Sequence, residues 1–257
     1  MFDRTLAVDW SARSKPTPPT PTENAIWVGT AGNQRNEHYF RTRHECEQFL
    51  HDSLAGDEHI LLGADFPLGY PDGFANLLDV NNWHDIWYII HEHIADHADN
   101  TNNRFEVAAQ LNTNVSRPGP FWGHPQQHSY KTLQPTKPQY PISGIREFRH
   151  TERNAPGRIQ SPWKLLGAGS VGSQALTGIP LLYRLRQRFN CTVWPFEPPT
   201  GRIVITEIWP SLYYDHDGNG IKDQHQVRHT ADWMHQTGLP DIPQTNEGWI
   251  LGVNRNS

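Results

Sequence analysis

The chain has little cysteine: two residues in 257, Cys46 and Cys191, far apart and outside any Cys-x-x-Cys pattern. That excludes a cysteine-built zinc site and fits a reducing compartment. Long hydrophobic runs are missing as well. No stretch of about 18 apolar residues occurs, so no membrane-spanning helix is expected. The opening Met1-Phe2-Asp3-Arg4 leads straight into a short apolar strand, without the basic segment, apolar run and small-residue cleavage site of a signal peptide. Basic excess is absent too. The formal net charge is −5, which argues against bulk coating of DNA or RNA and leaves room only for a local basic face. Together these absences predict a soluble, cytoplasmic protein with no membrane partner.

The arginines do cluster in sequence, as Arg146, Arg149, Arg153 and Arg158 and again as Arg184, Arg186 and Arg188. Such runs are more often solvated faces or helix ends than binding surfaces. No internal repeat is evident. Proline-rich character is confined to residues 14–22, a stiff loop between strands, and to 118–141, an irregular excursion.

Residues 5–9 form a short apolar run that ends on an acid, the pattern of a buried strand. Residues 25–29 and 37–41 carry β-formers with Gly32-Asn33 between them, so the first three strands predict an antiparallel meander. Helical stripes follow at 44–54, with Cys46, Phe49, Leu50 and Leu54, and from Trp83 to Ile94. A second buried strand at 59–65 again ends on an acid. Further helices are expected at 103–111, 171–189 and 221–237, and strands at 192–196 and 202–208. This order is neither a plain βα repeat nor all-β. It predicts one α/β domain, residues 1–257, built on a mixed sheet covered by helices, with an insertion at about residues 72–165.

The chemistry lies in where the acids fall. Asp9, Asp65 and Glu207 end strands, and Asp223 opens the last helix. Adjacent parallel strands bring their carboxyl ends to one edge of an α/β sheet, where ligands bind. Carboxylates gathered there repel one another unless a cation neutralises them. All-oxygen ligands favour Mg²⁺ or Mn²⁺ over zinc. For any one of these acids alone, capping a strand end is the commoner role; the fourfold repetition at element ends is what suggests a site.

These segments carry a resemblance. Ala7-Val8-Asp9-Trp10-Ser11, Asp65-Phe66-Pro67-Leu68-Gly69 and Glu207-Ile208-Trp209-Pro210-Ser211 resemble the D-W-S, D-x-P-L-G and E-x-x-P-S blocks of an uncharacterised family described as a predicted nuclease of ribonuclease H-like fold. Thr151-Glu152-Arg153, Gly169-Ser170-Val171-Gly172-Ser173-Gln174, Trp194-Pro195-Phe196-Glu197 and Lys222-Asp223 are similar to its other blocks, so the likeness spans nearly the whole chain. It implies a ribonuclease H-like fold and, by analogy, a metal-dependent phosphodiester hydrolase. On that analogy Asp9, Asp65 and Asp223 hold the metal and Glu207 is a fourth, less secure ligand.

Other motifs compete. Gly167-x-Gly169-x-x-Gly172 matches a dinucleotide fingerprint as a string, but Ser161-Pro162-Trp163 precedes it rather than a strand. The same glycines could present backbone N–H groups to a phosphate at the start of the long helix, or simply permit tight packing there. Asp215-x-Asp217-x-Asn219-Gly220 opens like a calcium loop, yet Gln226 stands where a bidentate Glu belongs, and an Asx-rich turn is the plainer reading. His93 and His97, like His225 and His229, lie one helical turn apart without the H-E-x-x-H pattern; with 15 histidines in the chain, surface residues explain them. Trp10, Trp122 and Trp163 border the candidate segments and could stack a base, although core packing is the usual fate of a large aromatic.

The expectation is a Mg²⁺- or Mn²⁺-dependent nuclease or phosphodiesterase, with Glu152, Arg153, Gly169, Ser170 and Gly172 contacting a substrate that is nucleic acid or a phosphorylated small molecule. A small-molecule phosphotransferase or nucleotide-binding enzyme on the same fold, and a non-catalytic binding protein, remain the alternatives.

Overall fold

The computed structural model describes residues 2–113, 117–157, 159–214 and 218–254. Strand β1 (Arg4–Asp9) is buried over residues 4–8, as a strand covered on both faces must be. It pairs antiparallel with β2 (Ile26–Gly32), which pairs antiparallel with β3 (Asn36–Phe40). On its other side β1 runs parallel to β4 (Ile60–Ala64). Next comes β6 (Ile203–Glu207), parallel to β4, and the short β5 (Thr192–Val193) closes that edge. The sheet order is β3-β2-β1-β4-β6-β5. A three-strand meander continued by parallel strands, with helices on both faces, is a ribonuclease H-like architecture.

Strand alternation divides the molecule into two layers. Leu6 and Val8 of β1, Leu62 of β4 and Ile205 of β6 join one core with helices α1 (Arg43–Leu54), α3 (Trp83–His93), α4 (Arg104–Leu111) and α6 (Val171–Phe189). Ala7, Leu61, Val204 and Ile208 face the other way, against α7 (Lys222–Thr237) and the C-terminal segment. Helix α1 begins with a capping box: Thr42 accepts the Glu45 N–H, and the Glu45 carboxylate accepts the Thr42 N–H. Two short helices, α2 (Phe74–Leu77) and α5 (His150–Asn154), lie in the long segment between β4 and α6.

The expected elements fall within a residue or two of those observed, with three exceptions. The strand expected over 25–29 runs on to Gly32, which was expected in the turn. The strand expected over 192–196 stops at Val193, because Pro195 has no N–H to offer a ladder. The short helices α2 and α5 have too few turns to leave a periodic signal. Among the described residues no helix is long and apolar enough to cross a membrane.

Two packing contacts fix the ends of the sheet that matter for chemistry. A Cβ on Gly29 of β2 would meet the Val227 carbonyl oxygen of α7 at 2.3 Å, so the absent side chain lets α7 lie directly on the sheet. On the opposite face, a Cβ on Gly178 of α6 would meet the Phe66 ring at 2.2 Å. Helix α6 also grips Trp10: the indole N–H donates to Thr177 Oγ1 at 3.1 Å, and the Gln174 amide donates to the Trp10 carbonyl. Thus α6 clamps the residue after Asp9 and the residue after Asp65.

Candidate functional site

Asp9 and Asp65 stand level on neighbouring parallel strands. Val8 pairs with Ala64, and the Asp65 N–H donates to the Val8 carbonyl at 2.9 Å, so each acid is the first residue beyond that pair. Both lie on the α7 face, by the alternation that sends Ala7 and Leu61 there. Asp223, in the first turn of α7, accepts the Asn24 N–H at 2.6 Å, which ties it to the chain just before β2. Its position follows from the Gly29–Val227 approach, one helical turn further along. An acid in the first turn also suits the helix dipole.

Asp9, Asp65 and Asp223 line one cleft of about 550 Å³. Burial pushes the Asp9 carboxyl well above the ordinary range, and the charges of Asp65 and Asp223 add to it. Burial, with Glu207 and Asp223, likewise raises Asp65 to about 8. The Lys222 ammonium opposes both shifts without cancelling them. The salt bridges at this end of the sheet belong to other acids. A site of this kind takes up either protons or a cation.

Glu207 is not part of that group. It pairs with Ala64, one step earlier than Asp65, and alternation turns it to the opposite face of the sheet, with Ile203 and Ile205. There it is 3 % exposed and held by Arg149, whose Nη1 and Nη2 donate to its two oxygens at 2.8 and 2.5 Å. The Leu68 N–H adds a third bond at 3.0 Å. Burial raises the Glu207 pKa, and Arg149 opposes that rise. Glu207, expected as a fourth ligand, is thus an ion-pair partner of Arg149 and does not line the cleft of Asp9, Asp65 and Asp223, although it lines a smaller pocket together with Asp65.

The substrate-contact expectations divide in the same way. Glu152 is buried and bound by Arg149, through the guanidinium and through the Arg149 N–H at 2.8 Å. Its cationic partner is therefore Arg149, not Arg153. Arg153 is exposed, lies against the His150 ring and does not line the acid cleft. Gly169 and Ser170 do line it. Gly169 has φ of +69° and Gly167 +89°, backbone that favours glycine, so this turn needs its glycines for its shape. Gly172 is a packing residue: its N–H donates to the Lys164 carbonyl at 3.0 Å, and a Cβ would meet the Pro162 oxygen at 2.5 Å. No phosphate can take that amide. Lys164 makes only an isolated bridge to Trp122, so no strand precedes the glycines and the dinucleotide reading falls.

Of the remaining motifs, Asp215 and Asp217 of the calcium-like loop, and Arg158, lie outside the described residues. Gln226 of that loop donates to Ser211 Oγ at 3.0 Å. His229 stacks on Tyr214 at 4.1 Å. Trp10 and Trp163 are core residues, 2 % and 0 % exposed. Arg184 and Arg186 are consumed by Glu47 and Glu197.

A second polar cluster had no sequence signal. Asp72, His150 and Glu247 bring ligand atoms within 4.8 Å of one another, an arrangement able to hold a metal ion. Asp72 and His150 are exposed and Glu247 is buried. Competing contacts are present: the Glu247 oxygens accept the Asp72 and His150 N–H groups, each at 2.7 Å, and Arg153 stands against the His150 ring at 2.7 Å. Glu247 latches two loops together whether or not an ion is bound. Among the described residues, Asp9, Asp65 and Asp223 do not bring their oxygens that close, so they are not a closed three-ligand set. Mg²⁺ does not need one, since it is commonly held by one or two carboxylates and completes its shell with water and substrate oxygens.

No family model, no curated protein and no solved structure matches this chain.

Proposed function

We propose that the cleft at the carboxyl ends of β1 and β4 is the active site of a Mg²⁺- or Mn²⁺-dependent hydrolase of phosphodiester bonds, a nuclease-like activity of the kind the sequence resemblance implies. The observation that carries this reading is the level placement of Asp9 and Asp65 in an open cleft, both carboxyls driven toward protonation by burial and by the charges of neighbouring acids. Oxygen-only donors with raised pKa values suit a hard divalent cation, which relieves the repulsion that otherwise holds protons there. When bound, such an ion polarises a phosphoryl oxygen and lowers the pKa of water.

The chain's own residues supply the rest. Asp9 and Asp65 would hold the cation from the sheet, with Asp223 of α7 lining the same cleft. Helix α6 keeps the two strand ends in place through Trp10 and Phe66. The turn carrying Gly169 and Ser170 also lines the cleft, at the positive end of the dipole of a 19-residue helix.

The test is thermal and calorimetric titration with Mn²⁺, alongside hydrolysis of an oligonucleotide and of a small phosphodiester. The full chain is compared with Asp9→Asn and with His150→Gln. Asp9→Asn should lose the metal-induced rise in Tm and the hydrolysis, while His150→Gln keeps both. Full activity in Asp9→Asn refutes the proposal. Metal stabilisation abolished by His150→Gln instead would move the ion to the Asp72–His150–Glu247 cluster.

A further inference from the structure

The acid cleft is also lined by a cation that no sequence motif announced. Arg104 opens α4, lines the cleft and is 8 % exposed. Every hydrogen bond assigned to its guanidinium goes to a neutral group. Nε donates to Ser173 Oγ at 2.9 Å, and Nη1 donates to Ser14 Oγ at 3.0 Å and to Asn102 Oδ1 at 2.8 Å. The planar face lies over the Phe105 ring, 4.4 Å from its centroid. Among the described residues Arg104 forms no salt bridge. Asp96 and Glu106 act on it only through space, and Asp96 is taken by Arg43, which donates to both Asp96 oxygens at 2.6 Å. Burial and the Arg43 charge pull the Arg104 pKa down to about 10.

A buried guanidinium without a counter-ion is unfavourable, and a chain keeps one where a ligand supplies the charge. Here the three edges of the fork are unequal. Nε and Nη1 are fixed by serines and an asparagine, which orients the group and leaves Nη2 for an incoming acceptor. Arg13 lines the same cleft, and so does the Gly169–Ser170 turn. Carboxylates and the guanidinium groups of Arg104 and Arg13 therefore line the same cleft. That arrangement suits a substrate bearing a phosphate beside the bond that reacts at the acids.

The geometry points to Arg104 as the anchor for a phosphate group of the substrate, distinct from the phosphoryl centre that Asp9 and Asp65 serve. This deepens the proposed function and rests on it for the word substrate. The anion site itself is testable without any metal.

The experiment titrates inorganic phosphate into the full chain by calorimetry, in EDTA at pH 6. Arg104→Gln should weaken binding about tenfold to a hundredfold, the usual worth of hydrogen bonds to a charged group. Arg104→Lys keeps the charge without the planar fork and should fall between the two. Circular dichroism checks folding, and if Arg104→Gln does not fold, the lysine variant decides. A parallel titration with a nucleoside monophosphate and a single-stranded hexanucleotide separates the sources of the phosphate. Tighter binding of the longer ligand assigns it to a polymer backbone, and equal binding assigns it to a small molecule. Wild-type affinity for all three ligands in the folded variants, or no saturable binding by the wild type, overturns the inference. Because EDTA is present throughout, a failed metal assay with Asp9→Asn leaves this result standing, and the reverse also holds.

Discussion

Replacing Arg149 by Met tests how the opposite face of the sheet is neutralised. Arg149 is fully buried between Glu152 and Glu207, each side chain 4 % exposed. Burial disfavours its charge, but the two carboxylates more than offset this and push its pKa up. Methionine keeps apolar volume and removes the only cation that pairs with either glutamate in the described residues. Breaking one buried ion pair costs about 3–5 kcal/mol, because the partner is left as an uncompensated charge. In a chain of this size about 1 kcal/mol moves Tm by about 2–4 °C, so a fall of roughly 10 °C or more is expected at pH 7. The pH dependence gives the sharper test. Burial already raises the folded-state pKa of Glu207, and without Arg149 to oppose it the rise is larger. The folded variant then binds extra protons, and its stability is present at low pH and lost as pH rises through that folded pKa. The Tm gap to wild type should be small near pH 4 and widen toward pH 7. Adding Glu152→Gln and Glu207→Gln to the variant should narrow it again. A fall below about 3 °C at pH 7, or a gap independent of pH in differential scanning calorimetry, would refute the reasoning.

The acid cleft makes its own predictions. Asp65 has a folded pKa of about 8, above its ordinary value of 3.8. The metal-free protein should therefore lose stability as pH rises from about 4 and level off beyond about 8, a trend that Mn²⁺ should flatten. Metal binding at pH 7 should release protons, seen as a heat that depends on the buffer's ionisation enthalpy in calorimetry. Gly29→Ala places a methyl 2.3 Å from the Val227 oxygen and must lift α7, so it should cost about 1–3 kcal/mol and weaken Mn²⁺ binding through Asp223 while the sheet stays folded. Unchanged Mn²⁺ affinity there would separate Asp223 from the metal group. Glu247→Gln replaces an oxygen that accepts the Asp72 or His150 N–H by a donor, and should cost about 1–3 kcal/mol in urea unfolding without altering hydrolysis.

Strands and long helices were legible because their signals are local: the apolar runs of β1 and β4, the stripe of α3 and the glycine-rich start of α6. The pairing of Asp9 with Asp65 was legible as well, because both acids directly follow a buried run. Register was not. Nothing in the sequence says that Glu207 pairs with Ala64 rather than with Asp65, and that single step decides its face. Arg149 was visible only as one of four clustered arginines, of which the described members Arg146 and Arg153 are exposed. Burial is a property of the long segment between β4 and α6, whose path carries little periodicity. Arg104 carried no sequence signal, because its lack of a salt bridge among the described residues depends on Asp96 being spent on Arg43.

The two faces of the sheet edge show why strand-end acids alone do not define a site. Glu207 and Asp65 are near enough for Glu207 to raise the Asp65 pKa, yet only one has a guanidinium bound to it. Charge on the Arg149 side is balanced within the chain as far as one cation against two acids allows. On the α7 side it is left unbalanced, with Lys222 set against three carboxylates. A fold selected for stability alone would pair or bury such acids away, since each carries a desolvation penalty with no return. The acids line an open cleft that Arg104 lines as well, and among the described residues Arg104 forms no salt bridge. The two imbalances have opposite sign and share one volume. A divalent cation together with a phosphate-bearing substrate neutralises both at once, whereas either component alone leaves the other imbalance uncompensated.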